Sequence, residues 1–212
     1  MNGQAPPSRV RDRVRFLLER IVWSEPLGPA FRTRVFGLHV CRIPAPTFAE
    51  GERAAYISRR LKSCGLQHVE TDALHNVSAI LAGAGGGPTI MVVAHMDTVF
   101  PADADVEPRS DGRYWRAPGI RDNSASVAVV LLLPEMLRHR GLHLAGDLIL
   151  AFSVGEEGRG DLRGIKALMD RYGSRVSAVV AADGNLGVLP DLGRAAIGTL
   201  RPAWRGKYRV RR

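Results

Sequence analysis

Three short apolar runs, TIMVVA at 89–94, DLILAFSV at 147–154 and SAVVAA at 177–182, each lead straight into an imidazole or a carboxylate. Continuous apolar runs of this length, rich in β-branched residues, read as strands buried on both faces. VSAILAG supplies a further strand upstream. Between the strands lie helical patterns. IPAPTFAEGERAAYISRRLKSCG predicts a turn, a Thr47 N-cap with Glu50 three residues on, and a helix stopped by Gly65. SASVAVVLLLPEMLRHRG predicts a helix starting near Ser124, kinked at Pro134 and closed by Gly141. DLRGIKALMDRYG predicts another, and Arg9–Trp23 an amphipathic helix ended by Pro26 and Gly28. Strands alternating with helices predict an α/β domain with helices on both faces of a largely parallel sheet. In such sheets ligands bind at the carboxyl ends of the strands, which is where this sequence concentrates its chemistry.

His95 follows the first of those runs, Glu156 and Glu157 the second, and Asp183 the third. Asp122 precedes the helix beginning near Ser124, at the same edge. Singly, each has an ordinary explanation: a strand-end His satisfied by Asp97, an N-cap, a solvated acidic pair, a turn. Together they form a set of nitrogen and oxygen donors suited to a pair of zinc ions or similar divalent metals. An imidazole that binds metal through one nitrogen needs an acceptor on the other, and Asp97, two residues on, can supply it. Two adjacent acids point in different directions, so one can bind metal while the other faces a bound water. In two-metal hydrolases the ions lie about 3.5–4 Å apart and share that water.

Composition narrows the alternatives. With 45% hydrophobic and 24% charged residues the chain is an ordinary globular sequence, and 6% aromatics disfavour a reader of stacked bases. The net charge of +9 is spread along the chain except for Arg201, Arg205, Lys207, Arg209, Arg211 and Arg212, so the expectation is a solvated basic surface with a basic tail, not a nucleic-acid partner. Two cysteines, Cys41 and Cys64, outside any CxxC pattern, argue against a disulfide framework and suit the cytoplasm. No signal peptide is expected, and Val127–Leu133, the longest apolar run, is too short for a membrane span. The absence of a GxSxG elbow disfavours a serine hydrolase.

VVAHMDTVFP, APGIRDNSASVAVV, FSVGEEGRGDLRG and AADG occur in an order and at spacings that resemble the co-catalytic zinc metallopeptidases, the family of aminoacylase, acetylornithine deacetylase, succinyl-diaminopimelate desuccinylase, carboxypeptidase G and peptidase T. IPAPTFAEGERAAYI and HNVSAILAG resemble its early segments, and the resemblance covers about residues 35 to 210. It implies a three-layer αβα zinc-exopeptidase-like domain with a mostly parallel central sheet. It implies that His95 and Asp183 bind one zinc, Glu157 the other, that Asp122 bridges them, that Asp97 orients His95 and that Glu156 is the general base. Two zinc ions, or cobalt or manganese in their place, are the implied cofactors. A small peptide or an N-acyl amino acid is the implied substrate, with a lean toward the peptidase-like members, and full-length relatives are often homodimers.

The sequence departs from that pattern in places. Arg121 stands where a small residue usually precedes the bridging Asp, and Ser126 where Gly is usual. The resemblance also implies a last zinc-binding His and an oxyanion-holding His beyond Arg212, after a lid domain whose first strand IGTLRPAWRGKYRV resembles. Residues 1–7 are expected as a loose tail, 8–195 as the catalytic-domain portion and 196–212 as the start of the lid. The isolated chain is expected to bind metal weakly, because it lacks that last ligand, and to turn over poorly, because losing an oxyanion donor typically lowers the rate about a hundredfold or more. The competing expectation is a non-catalytic remnant that keeps the fold and binds at most one metal.

Overall fold

The computed structural model describes residues 39–110, 115–183 and 196–198. The expected helix at Arg9–Trp23, the tail at 1–7 and residues 199–212 lie outside them. The described elements are α1 (Gly51–Ser63), β1 (Glu70–Thr71), β2 (Val77–Leu81), β3 (Ile90–His95), a two-stranded ribbon β4 (Arg109–Ser110) and β5 (Trp115–Arg116), α2 (Ala125–His139), β6 (Leu148–Ser153), α3 (Arg163–Tyr172), β7 (Ala178–Ala181) and β8 (Ala196–Gly198). β8, the first residues of the segment expected to open the lid, pairs with β7 in the main sheet.

The sheet runs β1-β2-β6-β3-β7-β8. β3 pairs in parallel with β6 and β7. β2 is antiparallel to β6, β1 to β2, and β8 to β7. The mostly parallel sheet expected from the alternating pattern is therefore parallel only at its centre. The reason lies in the connections. A parallel return needs a long crossover, which α2 provides between β3 and β6 and α3 between β6 and β7. No helix separates β2 from β3.

Alternation along the buried strands divides the core in two. Val92, Ala94, Leu150 and Phe152 pack with Ile57 and Leu61 of α1 and Val127, Val130 and Leu131 of α2. Met91, Val93, Ile149 and Ala151 face the other way, against Leu168 and Tyr172 of α3. Phe152 and Leu150 are fully buried. Helices thus cover both faces, as the three-layer expectation requires. α2 continues through Pro134 to His139, and Gly141 follows with φ +60°. Among the described residues no helix is long and apolar enough to cross a membrane.

Candidate metal centre

The parallel register fixes which groups meet. His95 pairs with Ser153, so the ends of β3 and β6 coincide, and the Met96 N–H donates to Ser153 O at 2.8 Å. Glu156 and Glu157 leave β6 just beyond that point, and Asp183 lies two residues beyond the end of neighbouring β7. Asp122 sits in the irregular turn Ile120–Ser124 ahead of α2, with non-helical φ −121° and ψ 95° and a cis peptide bond to Asn123. The Asn123 side chain donates to Ala182 O at 2.9 Å and so ties this turn to the end of β7. Asp122 is therefore not an N-cap; Ser124 holds that position, without a side-chain capping bond.

All five expected groups converge on one imidazole. His95 Nε2 lies 3.0 Å from Asp122 Oδ1 and 3.6 Å from Asp183 Oδ1, and Nδ1 lies 3.5 Å from Asp97 Oδ1. Ligand atoms of His95, Asp122 and Asp183 fall within 4.8 Å of one another, as do those of His95, Glu156 and Glu157. Asp122 and Glu157 do not share one such group. Both ring nitrogens are buried, and the oxygens beside them stand outside good hydrogen-bond geometry. Arg121, at the position that departs from the family pattern, is exposed, and Ser126 is half-buried. His139 ends α2 and takes no part.

The electrostatics follow from five carboxylates around one ring. Burial by itself lowers the His95 pKa, but Asp183, Asp97 and the charge of Glu156 overcome it and raise it to about 10. Burial raises Glu156, opposed by His95 and reinforced by Asp183 and Asp97. Burial raises Glu157 as well, with Asp122 and Glu156 adding to the effect. Crowded like charges of this kind are relieved by a cation. An orphaned imidazole nitrogen facing oxygen donors is the arrangement a divalent metal fits.

Several supporting residues were not legible as such in the sequence. Thr47, expected as an N-cap, instead donates its hydroxyl to Asp97 Oδ2 at 2.9 Å. Glu50, expected as its capping partner, is itself the N-cap residue of α1, and neither residue makes a capping bond from its side chain to the helix. The Pro46–Thr98 bridge and the Thr98 N–H to Ala45 O bond of 2.8 Å place Thr47 there. Buried Arg53 donates to Ile43 O at 3.0 Å and Met96 O at 2.8 Å, bracing the residue before Asp97. Asp97 is fully buried. Burial tends to raise its carboxyl, but His95, the N–H groups of Glu156 and Glu157 and the Thr47 hydroxyl outweigh that and hold it at about 2.

Residues 91–199 match the model of peptidase family M20/M25/M40, just over half of the chain. The fold is similar to that of the aminopeptidase PepT from Bacillus cereus, at 23% identity and TM-score 0.61 over 72% of this chain and 43% of that one. A tripeptidase from Staphylococcus aureus is similar at 22% identity and TM-score 0.61, over 73% and 44%. A dinuclear metal-binding peptidase from Bacillus subtilis, of the M20 family, is similar at 20% identity and TM-score 0.52, over 73% and 43%. The chain spans less than half the length of these three structures. The family match covers β3 to β8, the stretch that carries His95, Asp122, Glu156, Glu157 and Asp183, and with the shared fold it shows that this chain belongs to peptidase family M20/M25/M40.

Proposed function

We propose that the chain carries the metal-binding half of a hydrolase that cuts amide bonds in short peptides or N-acyl amino acids. The observation that carries this reading is the buried His95 ring. Its Nε2 has no hydrogen-bond partner and lies 3.0 Å from Asp122 Oδ1 and 3.6 Å from Asp183 Oδ1, and the ring also groups with Glu156 and Glu157 within ligand distance. In this reading His95 and Asp183 would hold one divalent metal and Glu157 the other, with Asp122 as the ligand they would share; zinc, or cobalt or manganese in its place, suits these donors. When bound, such metals acidify a water and polarise the substrate carbonyl.

The chain's own residues do the rest. Asp97 holds the His95 ring by its Nδ1 side and leaves Nε2 for the metal. Glu156 is the general base: it takes a proton from the attacking water and returns it to the leaving amine. Its raised pKa, from burial and neighbouring carboxylates, brings it toward the range in which a carboxyl can do both. The peptidases among the similar structures favour peptides over other amides.

Metal analysis of the purified chain, beside His95→Ala, tests this. Two zinc per chain, weakly held and reduced in the variant, is the result that supports it. Zinc bound equally by both proteins would remove the proposed site. At most one metal in the wild type would favour the non-catalytic alternative.

A further inference from the structure

Four consecutive main-chain N–H groups in the segment that presents the two glutamates are each accepted by a side-chain oxygen from elsewhere in the fold. Val154 N–H goes to Asn76 Oδ1 at 3.0 Å and Gly155 N–H to Glu50 Oε1 at 3.1 Å. Glu156 N–H goes to Asp97 Oδ1 and Glu157 N–H to Asp97 Oδ2, both at 3.0 Å. β6 ends at Ser153, so these amides have no strand partner to take them. A buried N–H left unpaired is costly, and here each is used to fix the loop.

Asp97 already belongs to the site, but Glu50 does not. Its carboxyl is 1% exposed, and the same Oε1 also accepts from Arg163 Nη2 at 2.7 Å. The Arg163 guanidinium lies 4.4 Å above the Phe48 ring and packs on Gly155, where a Cβ would stand 2.0 Å from Nη1. Asn76 reaches further, donating to Gly164 O at 3.2 Å beside Arg163. A buried carboxylate is costly unless paired, and here Arg163 and the Gly155 N–H pair it. Besides each other, both contact Gly155 of the loop.

We propose that Glu50, latched by Arg163 and seconded by Asn76, is a positioning residue that sets where Glu156 and Glu157 point. This rests on the reading of those two glutamates as base and metal ligand. The mechanism is geometric. Glu50 holds the amide immediately before Glu156, at Gly155, whose φ of +60° is one that glycine can leave easily, so releasing it loosens the loop on the side that Asp97 does not hold. Supporting residues one step from a metal ligand typically change metal affinity by about 10- to 100-fold when removed.

The test uses the whole 212-residue chain with Glu50→Ala, Glu50→Leu, Glu50→Gln and Arg163→Ala, with cobalt(II) as the probe and amide hydrogen exchange as a readout that needs no metal. In Glu50→Ala and Glu50→Leu, exchange at Gly155–Glu157 is expected to speed up about tenfold or more while β6 stays protected, and cobalt affinity to fall about tenfold with an altered visible spectrum. Glu50→Gln keeps an oxygen for Gly155 N–H and is expected to restore most of both. A folded Glu50→Leu with wild-type exchange and spectrum would show that the side chain only fills space, and the proposal fails. If the Glu50 variants do not fold, Arg163→Ala alone decides: faster local exchange supports the latch, unchanged exchange overturns it. If wild type binds no cobalt, the metal reading fails, and hydrogen exchange still judges the positioning role.

Discussion

Asp97 Oδ1 accepts the main-chain N–H of Glu156 at 3.0 Å, across 59 residues of sequence. The same carboxylate contacts the His95 ring and accepts from Glu157 and Thr47. One buried acid therefore couples the orientation of the imidazole to the placement of both glutamates. Its removal is expected to disturb more of the site than an orienting partner of His95 alone would. Asp97→Ala should lower zinc affinity by about 10- to 100-fold, measured by competition with a chromophoric chelator. Wild-type affinity in a folded Asp97→Ala would contradict the coupling.

Asp97 also sets an acid limit. Its folded pKa of about 2 lies below the ordinary value of 3.8. A depressed carboxyl contributes stability above its unfolded pKa and loses it as pH falls through the folded one. The contribution is thus present above pH 3.8 and lost between there and about pH 2. Thermal unfolding is expected to drop more steeply over that window in wild type than in Asp97→Asn. Parallel curves for the two would show that the carboxylate is not specially held.

His95 moves the other way in the metal-free chain. Its pKa rises from 6.5 to about 10, so its stabilising contact is complete below pH 6.5 and fades as pH approaches 10. At pH 7 the ring is protonated, and a metal must displace that proton. Calorimetric titration of zinc into the chain in buffers of different ionisation enthalpy should report about one proton released by the ring. No dependence on buffer would place the metal elsewhere.

The two glutamates should separate cleanly. Glu156→Gln is expected to keep zinc affinity within a few-fold while any amide hydrolysis falls by about 10²- to 10⁴-fold. Glu157→Gln is expected to lose metal. The check is zinc content after dialysis for both variants, and the reverse order would exchange their roles.

Gly155 and Gly158 offer a control on the loop. Both have positive φ, +60° and +50°. A Cβ at Gly155 would collide with Arg163 and at Gly158 would meet nothing within 4 Å. Gly158→Ala should therefore cost only the backbone penalty of about 1–2 kcal/mol, and Gly155→Ala clearly more, by denaturant unfolding. Equal losses would mean that Arg163 yields easily.

The sequence by itself determined the strands β2, β3, β6 and β7, the helices that cover both faces, and the edge where His95, Asp122, Glu156, Glu157 and Asp183 gather. Burial pattern is a local property: TIMVVA and DLILAFSV are apolar enough to be central strands wherever they pair, and the polar residues next in the chain must emerge at their carboxyl ends. The antiparallel flank was not legible in this way, because strand direction depends on how a connection returns. Nor were Thr47, Glu50 and Arg163. Read locally, the first two make a capping pair, yet Thr47 bonds to a residue 50 positions away and Glu50 to one 113 positions away. Only the tertiary structure decides such pairs, because a buried amide or carboxylate takes whichever partner the packed fold brings within hydrogen-bond reach.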